Sequence, residues 1–205
     1  MAKEPQTPLE DELARQEQEA EVTDQSAEER LVEGELEGLI DDDAPLKDSA
    51  GSPEADELKA GLLEVCVQLT RQLAQDGEGA TRLLVVELEG ARNIEDARAA
   101  ARTIASSLLV KSAVYGADPN WGRLLAALGR SQAEAVETKI DLYINGVCIM
   151  EAGKPIPFHR NAVVALMRGP QVTFRVALNI GHASATAWGC DLTEEYVVIN
   201  SAYTT

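Results

Sequence analysis

The uneven distribution of charge is the feature that most limits what this chain can fold into. Residues 1–59 carry 20 acidic residues against 5 basic ones, whereas the other 146 residues carry 15 and 13. All eight aromatic residues lie at or after Tyr115. A highly charged segment without aromatic residues buries too little apolar surface to offset the entropy lost on ordering its backbone. We therefore predict an acidic, disordered arm over residues 1–52 and a folded domain over residues 53–205.

One short part of the arm has apolar residues at helical spacing. Val32, Leu36, Leu39 and Ile40 follow an i, i+4, i+7, i+8 pattern, so a single amphipathic turn could dock on a partner. A solvated acidic arm explains the same residues without any partner. In either case the negative charge argues against binding nucleic acid, because phosphate neutralisation requires clusters of basic residues.

Hydropathy and cysteine usage predict a cytoplasmic protein. The sequence has no run of about 18 apolar residues and no basic and then apolar amino terminus, so neither a membrane span nor a signal peptide is expected. Cys66, Cys148 and Cys190 are odd in number and far apart, without the spacing of a disulfide framework or a metal site. We expect three reduced thiols, mostly buried as small apolar side chains, and no metal.

Helical and strand patterns alternate from residue 53 onward, which predicts a mixed α/β (α+β) domain. The predicted helices include a first one that begins at Ser52-Pro53 and stops at Gly77, a second one capped by Asn93, and segments at 121–128, 158–167 and 193–200. The predicted strands lie at 83–88, 110–115, 138–144, 147–150, 172–178 and 184–188.

Apolar side chains mark one face on each of the first two helices. On the first helix the apolar stripe consists of Leu58, Leu62, Val65, Cys66, Leu69 and Leu73. On the second helix the apolar face consists mainly of small residues, namely Ala97, Ala100, Ala101, Ile104 and Leu108. Small residues allow close packing, so we expect the second helix to lie on a sheet.

The hexapeptide Asp76-Gly77-Glu78-Gly79-Ala80-Thr81 places one carboxylate between two glycines, after a helix and before a strand. The glycines allow a tight turn and a close approach of the backbone to a ligand. Glu78 is therefore either a carboxylate that faces a cationic or amine-bearing ligand or an ordinary solvated turn residue. A dinucleotide loop is excluded, because that motif needs the strand before its glycines and the helix after them.

Other candidate residues have ordinary structural explanations. The turn Asp118–Arg123 contains Pro119, Trp121 and Gly122, which suit a rigid loop corner. His159 and His182 do not lie at metal-ligand spacing from a Cys, Asp or Glu, and we predict structural or surface roles for both. Cys190 and Asp191 are near His182 in sequence, but a Cys-His pair is assembled in space and sequence gives no geometry for it.

Several of these segments together resemble the glutamate/ornithine N-acetyltransferase family of arginine biosynthesis. The hexapeptide is followed by Leu109-Val110-Lys111-Ser112-Ala113 and by Gly116-Ala117-Asp118-Pro119-Asn120-Trp121-Gly122-Arg123. The last residues contain Cys190-Asp191-Leu192-Thr193, Tyr196-Val197-Val198-Ile199-Asn200 and Ala202-Tyr203-Thr204-Thr205. The resemblance runs from about Ser52 to Thr205 in order and at the family's spacing.

The resemblance implies part of an N-terminal-nucleophile-like acetyltransferase fold. Enzymes of this family are made as a precursor that cleaves itself into two chains, and the new amino-terminal threonine takes acetyl from N-acetylornithine and passes it to glutamate. Some members also use acetyl-CoA; no other cofactor is implied. By position, Glu78, Asn200 and Thr205 match substrate-binding residues of the second chain. Glu78 would contact the substrate's amino group, and Asn200 and Thr205 would hold its polar end.

The sequence also departs from the family pattern. The self-cleavage motif Lys-Gly-Ala-Thr-Met is not present among these 205 residues, nor are the oxyanion donors of the first chain. We therefore assign no catalytic residue and predict a second-chain part that does not transfer acetyl by itself. Its partner would be a first chain in a hetero-oligomer, without which apolar surface would be exposed and invite self-association. The alternatives are a non-catalytic amino-acid-binding or protein-interaction module and the product of a truncated gene.

Overall fold

A computed structural model describes residues 52–202. The predicted acidic arm lies almost entirely outside the described residues, as do the amphipathic turn of Val32, Leu36, Leu39 and Ile40 and the candidate residue Thr205. The chain divides into two units between Ala60 and Gly61, and the sheet belongs to the second unit. The proposed domain boundary at residues 52 and 53 stays a prediction.

Helices and strands alternate along the described residues, as the sequence predicts. The helices are α1 (Pro53–Gln75), α2 (Ile94–Ala105), α3 (Leu108–Tyr115), α4 (Trp121–Gly129), α5 (Arg160–Met167) and α6 (Glu194–Ala202), with a short 3-10 helix at Glu137–Lys139. The strands are β1 (Leu83–Ala91), β2 (Asp141–Ile144), β3 (Val147–Glu151), β4 (Lys154–Pro155), β5 (Gln171–Ala177) and β6 (Ala183–Cys190).

The strands form one six-stranded mixed sheet in the order β4-β3-β2-β5-β1-β6. Strand β1 pairs in parallel with β5 and antiparallel with β6, and the other pairs are antiparallel. The turn between β2 and β3 contains only Asn145 and Gly146, both with positive φ. An Asn-Gly pair of this kind closes a tight hairpin whose twist matches that of its strands. The two-residue edge strand β4 was not predicted from the sequence.

A large part of the core lies between the sheet and helix α2, which packs on β1 and β6. Asn93 caps this helix as predicted, because its side chain accepts a hydrogen bond from the Asp96 amide at 2.8 Å. The predicted small-residue face is buried at four positions, Ala97, Ala100, Ala101 and Ile104. These side chains meet the alternate residues of β1 that point to the same side, Leu84, Val86 and Leu88. Small residues on the helix allow it to lie close to the pleated surface.

The segment after α2 corrects two predictions. Helix α2 ends at Ala105, so Leu108 is not part of its apolar face; instead Leu108 starts helix α3 and is exposed. The strand predicted at 110–115 is part of α3. The buried residues of this helix are Val110, Ala113 and Val114, a spacing of i, i+3 and i+4 that places them on one helical face. The burial of this one helical face therefore outweighs the strand propensity of Val110 and Val114.

Helix α1 has the predicted bounds but not the burial expected of its stripe. Ser52 caps it by accepting a hydrogen bond from the Ala55 amide at 3.2 Å. None of its residues is buried, and the stripe residues Leu62, Leu69 and Leu73 are 62%, 54% and 77% exposed. The remaining helices and strands match their predictions to within about three residues at each end. Among residues 52–202, no helix combines the length and the apolar character needed to cross a bilayer.

Candidate functional site

The hexapeptide forms a tight turn between α1 and β1. The Ala80 amide donates to the Gly77 carbonyl oxygen at 2.9 Å, which places Glu78 and Gly79 at the two central positions of the turn. Gly79 has φ +65°, a left-handed backbone conformation that residues with a Cβ rarely adopt. A Cβ at Gly79 would also lie 2.8 Å from the Tyr196 nitrogen. The second glycine of the motif is thus required by backbone conformation and by close packing together.

The turn docks on the amino-terminal end of helix α6 through Thr193. The Thr193 hydroxyl donates to the Gly79 carbonyl oxygen at 2.7 Å and accepts from the Tyr196 amide at 3.2 Å. The second of these bonds caps the helix, because Thr193 immediately precedes its first residue. One hydroxyl therefore joins the hexapeptide to the start of α6.

Glu78 and Asn200 are brought together by this docking. The Asn200 side-chain amide donates to Glu78 Oε2 at 2.9 Å and to the Tyr196 carbonyl oxygen at 2.9 Å. Both side chains are exposed. The Glu78 carboxylate can therefore accept further hydrogen bonds on its solvent-exposed side, where a cationic group could bind. Two of the three predicted substrate-binding residues are neighbours, and the third, Thr205, lies outside the described residues.

A buried carboxylate, Asp191, holds the other end of the hexapeptide. Asp191 Oδ1 accepts from the amides of Thr81 at 2.8 Å and Arg82 at 3.1 Å, and Oδ2 accepts from the Thr81 hydroxyl at 2.5 Å. Asp191 is only 3% exposed. The guanidinium of Arg82 lies 3.7 Å from Asp191 Oδ2 and donates to the Tyr115 carbonyl oxygen at 2.9 Å. The cation thus balances the buried charge and binds the carboxyl-terminal end of α3.

Asp191 and Thr193 were not identified as site residues from the sequence. In the sequence, Asp191 stands out as a neighbour of Cys190 and His182 and as part of the run Cys190–Thr193 that carries the family resemblance. Their positions in the sequence could have indicated them. Asp191 directly follows a strand, and Thr193 stands three residues before Tyr196, at the start of a helix. Asp and Thr at such positions typically bind free backbone amides. Which distant amides Asp191 binds depends on tertiary structure.

The turn Asp118–Arg123 forms a separate cluster. Asp118 pairs with Arg160 of α5 at 2.9 Å, and Asn120 donates to Asp118 at 3.0 Å and caps α4 through the Arg123 amide. These groups line an open hollow of about 220 Å³. Within residues 52–202 the hydrogen bonds of this turn do not reach Glu78 or Asn200. Its contacts are those of the loop corner that the sequence predicts.

A larger hollow of about 420 Å³ borders the last turns of α1. Its lining residues are Leu69, Gln72, Leu73, Gln75 and Asp76. Only Asp76 belongs to the hexapeptide, and neither Glu78 nor Asn200 is in the lining of this hollow. We place the candidate site at the hydrogen-bonded pair, because a few convergent polar groups fix the orientation of a small polar ligand.

The histidines and cysteines do not combine into a reactive site in the described residues. His159 and His182 are exposed. His182 precedes β6 and Cys190 ends it, so a strand of roughly 25 Å separates them. Cys66 is exposed, and Cys148 and Cys190 are partly buried, so the expectation of mostly buried thiols was wrong. No group of His, Cys, Asp or Glu within 52–202 is arranged to hold a metal ion.

A further cluster of charged and aromatic side chains lies on the neighbouring strands β2, β5 and β1. Arg175 of β5 lies 3.6 Å from the centre of the Tyr143 ring and 3.3 Å from a carboxylate oxygen of Glu89. Desolvation raises the pKa of Tyr143 above its ordinary value, and the neighbouring Cys148 and Asp141 add to the shift. A cation that stacks on a ring and pairs with a cross-strand carboxylate is typical of sheet stabilisation.

Comparisons with known proteins give the site a family context. The model of the ArgJ family matches residues 36–205. Proteins named arginine biosynthesis bifunctional protein ArgJ are 46% identical over 144 residues in Symbiobacterium thermophilum and 39% identical over 153 residues in Bacillus subtilis. These alignments cover 70% and 75% of this chain but 36% and 38% of the relatives. The chain therefore spans little more than a third of the length of these relatives.

A solved structure agrees with the sequence matches. The crystal structure of arginine biosynthesis bifunctional protein ArgJ from Bacillus halodurans superposes with a TM-score of 0.73 at 39% identity. The superposition covers 75% of this chain and 73% of that chain. The predicted fold class, a mixed α/β fold of the acetyltransferase type with an N-terminal nucleophile, is confirmed as far as the described residues extend. The predicted resemblance is confirmed as well, and the chain belongs to the ArgJ family.

Proposed function

We propose that this chain supplies the substrate-binding part of a glutamate/ornithine N-acetyltransferase, which transfers acetyl from N-acetylornithine to glutamate. The observation that carries the proposal is the hydrogen bond between Asn200 and Glu78, two polar residues that are 122 positions apart. Its support is the membership of the ArgJ family together with the exposure of both side chains. A cytoplasmic location accords with this role and stays a prediction.

The two side chains have complementary chemistry for an amino-acid substrate. The Glu78 carboxylate would accept hydrogen bonds from a substrate ammonium group, and charge-assisted bonds of this type are stronger than neutral ones. The Asn200 amide carries both donors and an acceptor and would orient the polar end of the substrate while fixing Glu78. Thr205 stays a predicted third member of this set.

We further propose that these 205 residues do not transfer acetyl by themselves. Acyl transfer needs an activated nucleophile and donors that stabilise the oxyanion. The hydroxyls of Thr81, Thr103 and Thr193 are already donated to Asp191, Ala99 and Gly79, and an internal threonine has no free α-amine to act as its base. A nucleophile and an oxyanion hole would come from further sequence of the same family.

A hetero-oligomer with a first chain is the partner arrangement that we propose. Large apolar side chains are exposed on all six helices of the described part, including Leu62 and Leu73 of α1, Leu108 of α3 and Val198 of α6. Exposed apolar side chains that lie together in a patch are typical of protein interfaces. A partner chain of the same family would cover them and complete the active site.

The second candidate function is a non-catalytic amino-acid-binding or protein-interaction module. The same hydrogen-bonded pair favours it, because binding an amino acid requires the Glu78 carboxylate but no nucleophile. Binding and turnover therefore distinguish the two candidates. Saturable binding of ornithine without acetyl transfer, both alone and with a first chain from a relative, would favour the binding module.

Calorimetric titration of the purified chain with ornithine tests the binding part. We expect saturable binding that is lost in Glu78→Ala and kept in Glu194→Ala, a matched control because Glu194 is an exposed carboxylate on the same helix as Asn200. Equal affinity in Glu78→Ala would contradict the role of Glu78. Incubation with N-acetylornithine and glutamate tests catalysis, and ornithine release above that of Glu78→Ala would contradict the proposed inactivity of the chain alone.

A further inference from the structure

We propose that Asp191 is a positioning residue, which sets the distance between Glu78 and Asn200 without contacting substrate. The inference rests on the proposed function, because the distance between Glu78 and Asn200 matters only if they bind substrate. The contacts of Asp191 that support it are independent of that function. Asp191 lies between the end of β6 and the start of α6, so it belongs to the segment that leads directly to Asn200. Its carboxylate is directed at the hexapeptide that carries Glu78.

The contacts of this segment attach the turn at two points that closely follow Glu78 in the sequence. Asp191 binds the amide and the hydroxyl of Thr81, three residues after Glu78. Thr193, two residues after Asp191, binds the carbonyl oxygen of Gly79, the residue next to Glu78. The turn is therefore attached to the β6–α6 junction at two points. Since Thr193 also caps α6, the same junction sets where the helix starts and hence where Asn200 lies.

A carboxylate is the group that these donors require. Two amides and one hydroxyl converge on Asp191, and an ionised carboxylate offers two acceptor oxygens with no donor. An asparagine would direct its NH₂ group at the Thr81 hydroxyl and the Arg82 guanidinium. The hydroxyl would have to reverse its hydrogen bond, and the guanidinium, which only donates, would lose its counter-charge. The nearby Arg82 guanidinium, 3.7 Å from Oδ2, offsets the cost of burying the charge. Asp191 thus has the chemistry of a fixed internal anchor.

Substitutions of Thr81 change one hydrogen bond of Asp191 without changing Asp191 itself. Thr81→Val keeps the side-chain shape and removes only the hydroxyl that donates to Asp191 Oδ2, whereas Thr81→Ser keeps that hydroxyl. Asp191→Asn changes the anchor itself. Asn145→Ala is the control for general destabilisation. Asn145 lies in the turn between β2 and β3 and bonds to the Thr173 amide of β5 and the Leu166 carbonyl oxygen of α5, so its loss removes no bond at the hexapeptide.

The test is an NMR mutant cycle on the full chain, read at the Asn200 side-chain amide. In each background the change in its chemical shift on Glu78→Gln reports whether the two side chains are still paired. We expect a clear change in the unmodified chain, in Thr81→Ser and in Asn145→Ala, and its loss in Asp191→Asn and Thr81→Val. An undiminished change in both of the latter, or an equal loss in Asn145→Ala, would overturn the inference.

Ornithine titration of the same variants separates this inference from the proposed function. We expect Thr81→Val to weaken binding about tenfold, as for the loss of one charge-assisted hydrogen bond, and Thr81→Ser to restore it. If the unmodified chain binds no ornithine but the NMR cycle gives the expected pattern, the proposed function fails and the positioning role stands. If ornithine binds and Thr81→Val binds as tightly as the unmodified chain, the positioning role is overturned and the proposed function stands.

Discussion

The hexapeptide Asp76–Thr81 and the helix α1 that precedes it are adjacent in sequence but are attached to the fold very differently. The hexapeptide is bonded to Asp191 and Thr193, more than 100 positions away. In α1 no residue is buried, and Leu73, only three residues before the hexapeptide, is 77% exposed. Both segments have the local conformation that their residues predict. The local sequence thus determines the conformation of each segment. Whether a segment packs on the rest of the domain depends on the contact surfaces that the domain provides.

The difference has a physical explanation in the partners that each segment needs. A turn of this kind exposes backbone donors and acceptors, which single polar side chains such as Asp191 can satisfy. An apolar helical stripe needs an extended apolar surface opposite it, and within the described residues α1 has none. We propose that the missing surface belongs to the two thirds of the relatives' length that this chain does not span.

The largest expected effect is the loss of the buried anchor of the hexapeptide. Asp191→Ala leaves three donors without an acceptor and Arg82 without its counter-charge, which we expect to lower the free energy of unfolding by about 3 kcal/mol. Urea denaturation followed by circular dichroism measures it. A loss below about 1 kcal/mol would mean that solvent replaces the carboxylate and that the attachment is weak.

A methyl group at Gly79 tests the close contact with α6. Gly79→Ala places a Cβ in a left-handed backbone conformation and 2.8 Å from the Tyr196 nitrogen, so we expect a loss of about 2 kcal/mol from the backbone term and the clash together. The matched control is Gly61→Ala in α1, where no atom beyond the adjacent residues and the helix's own nearby backbone lies within 4 Å of the new Cβ. There we expect a gain of up to about 1 kcal/mol from helix propensity. Losses of equal size at both glycines would remove the contrast between the two segments.

Removing one hydroxyl from the anchor should have a smaller effect. Thr81→Val loses the bond to Asp191 Oδ2 but keeps the amide bond to Oδ1, and we expect a loss of about 1.5 kcal/mol, typical of a hydrogen bond to a charged group. Thr81→Ser should recover most of it in the same denaturation experiment. Equal losses in both variants would show that the methyl group, rather than the hydroxyl, stabilises the turn.

Polar substitutions on the α1 stripe should have the smallest effect on folding. Leu69→Ser and Leu73→Ser change side chains that are 54% and 77% exposed, so we expect each to change the free energy of unfolding by no more than about 0.5 kcal/mol. Self-association, measured by sedimentation, should decrease in the double variant because the exposed apolar area is smaller. A loss as large as that of Asp191→Ala would mean that α1 is packed in solution after all.

Much of the secondary structure follows from local residues, and the errors have a common cause. Asn93 and Gly77 act within a few residues of themselves, so the sequence is enough to place a cap and a stop. The segment after Leu108 was predicted as a strand and is helix α3. Its apolar residues fit either conformation, and the choice depends on which face can pack. The exposure of Cys66 was missed for the same reason, since its burial depended on a surface that the described residues do not provide.

The candidate site divides in the same way. The sequence by itself determined that Glu78 stands on a glycine-flanked turn, because Gly77 and Gly79 limit the local backbone whatever surrounds it. It also pointed to Asn200, but only through the family resemblance. Tertiary structure decided that Asn200 reaches Glu78 and that Asp191 anchors the turn. Those contacts exist because β6 pairs with β1 at the edge of the sheet, which brings the two ends of the domain together, and such pairing depends on burial along whole strands rather than on any single residue.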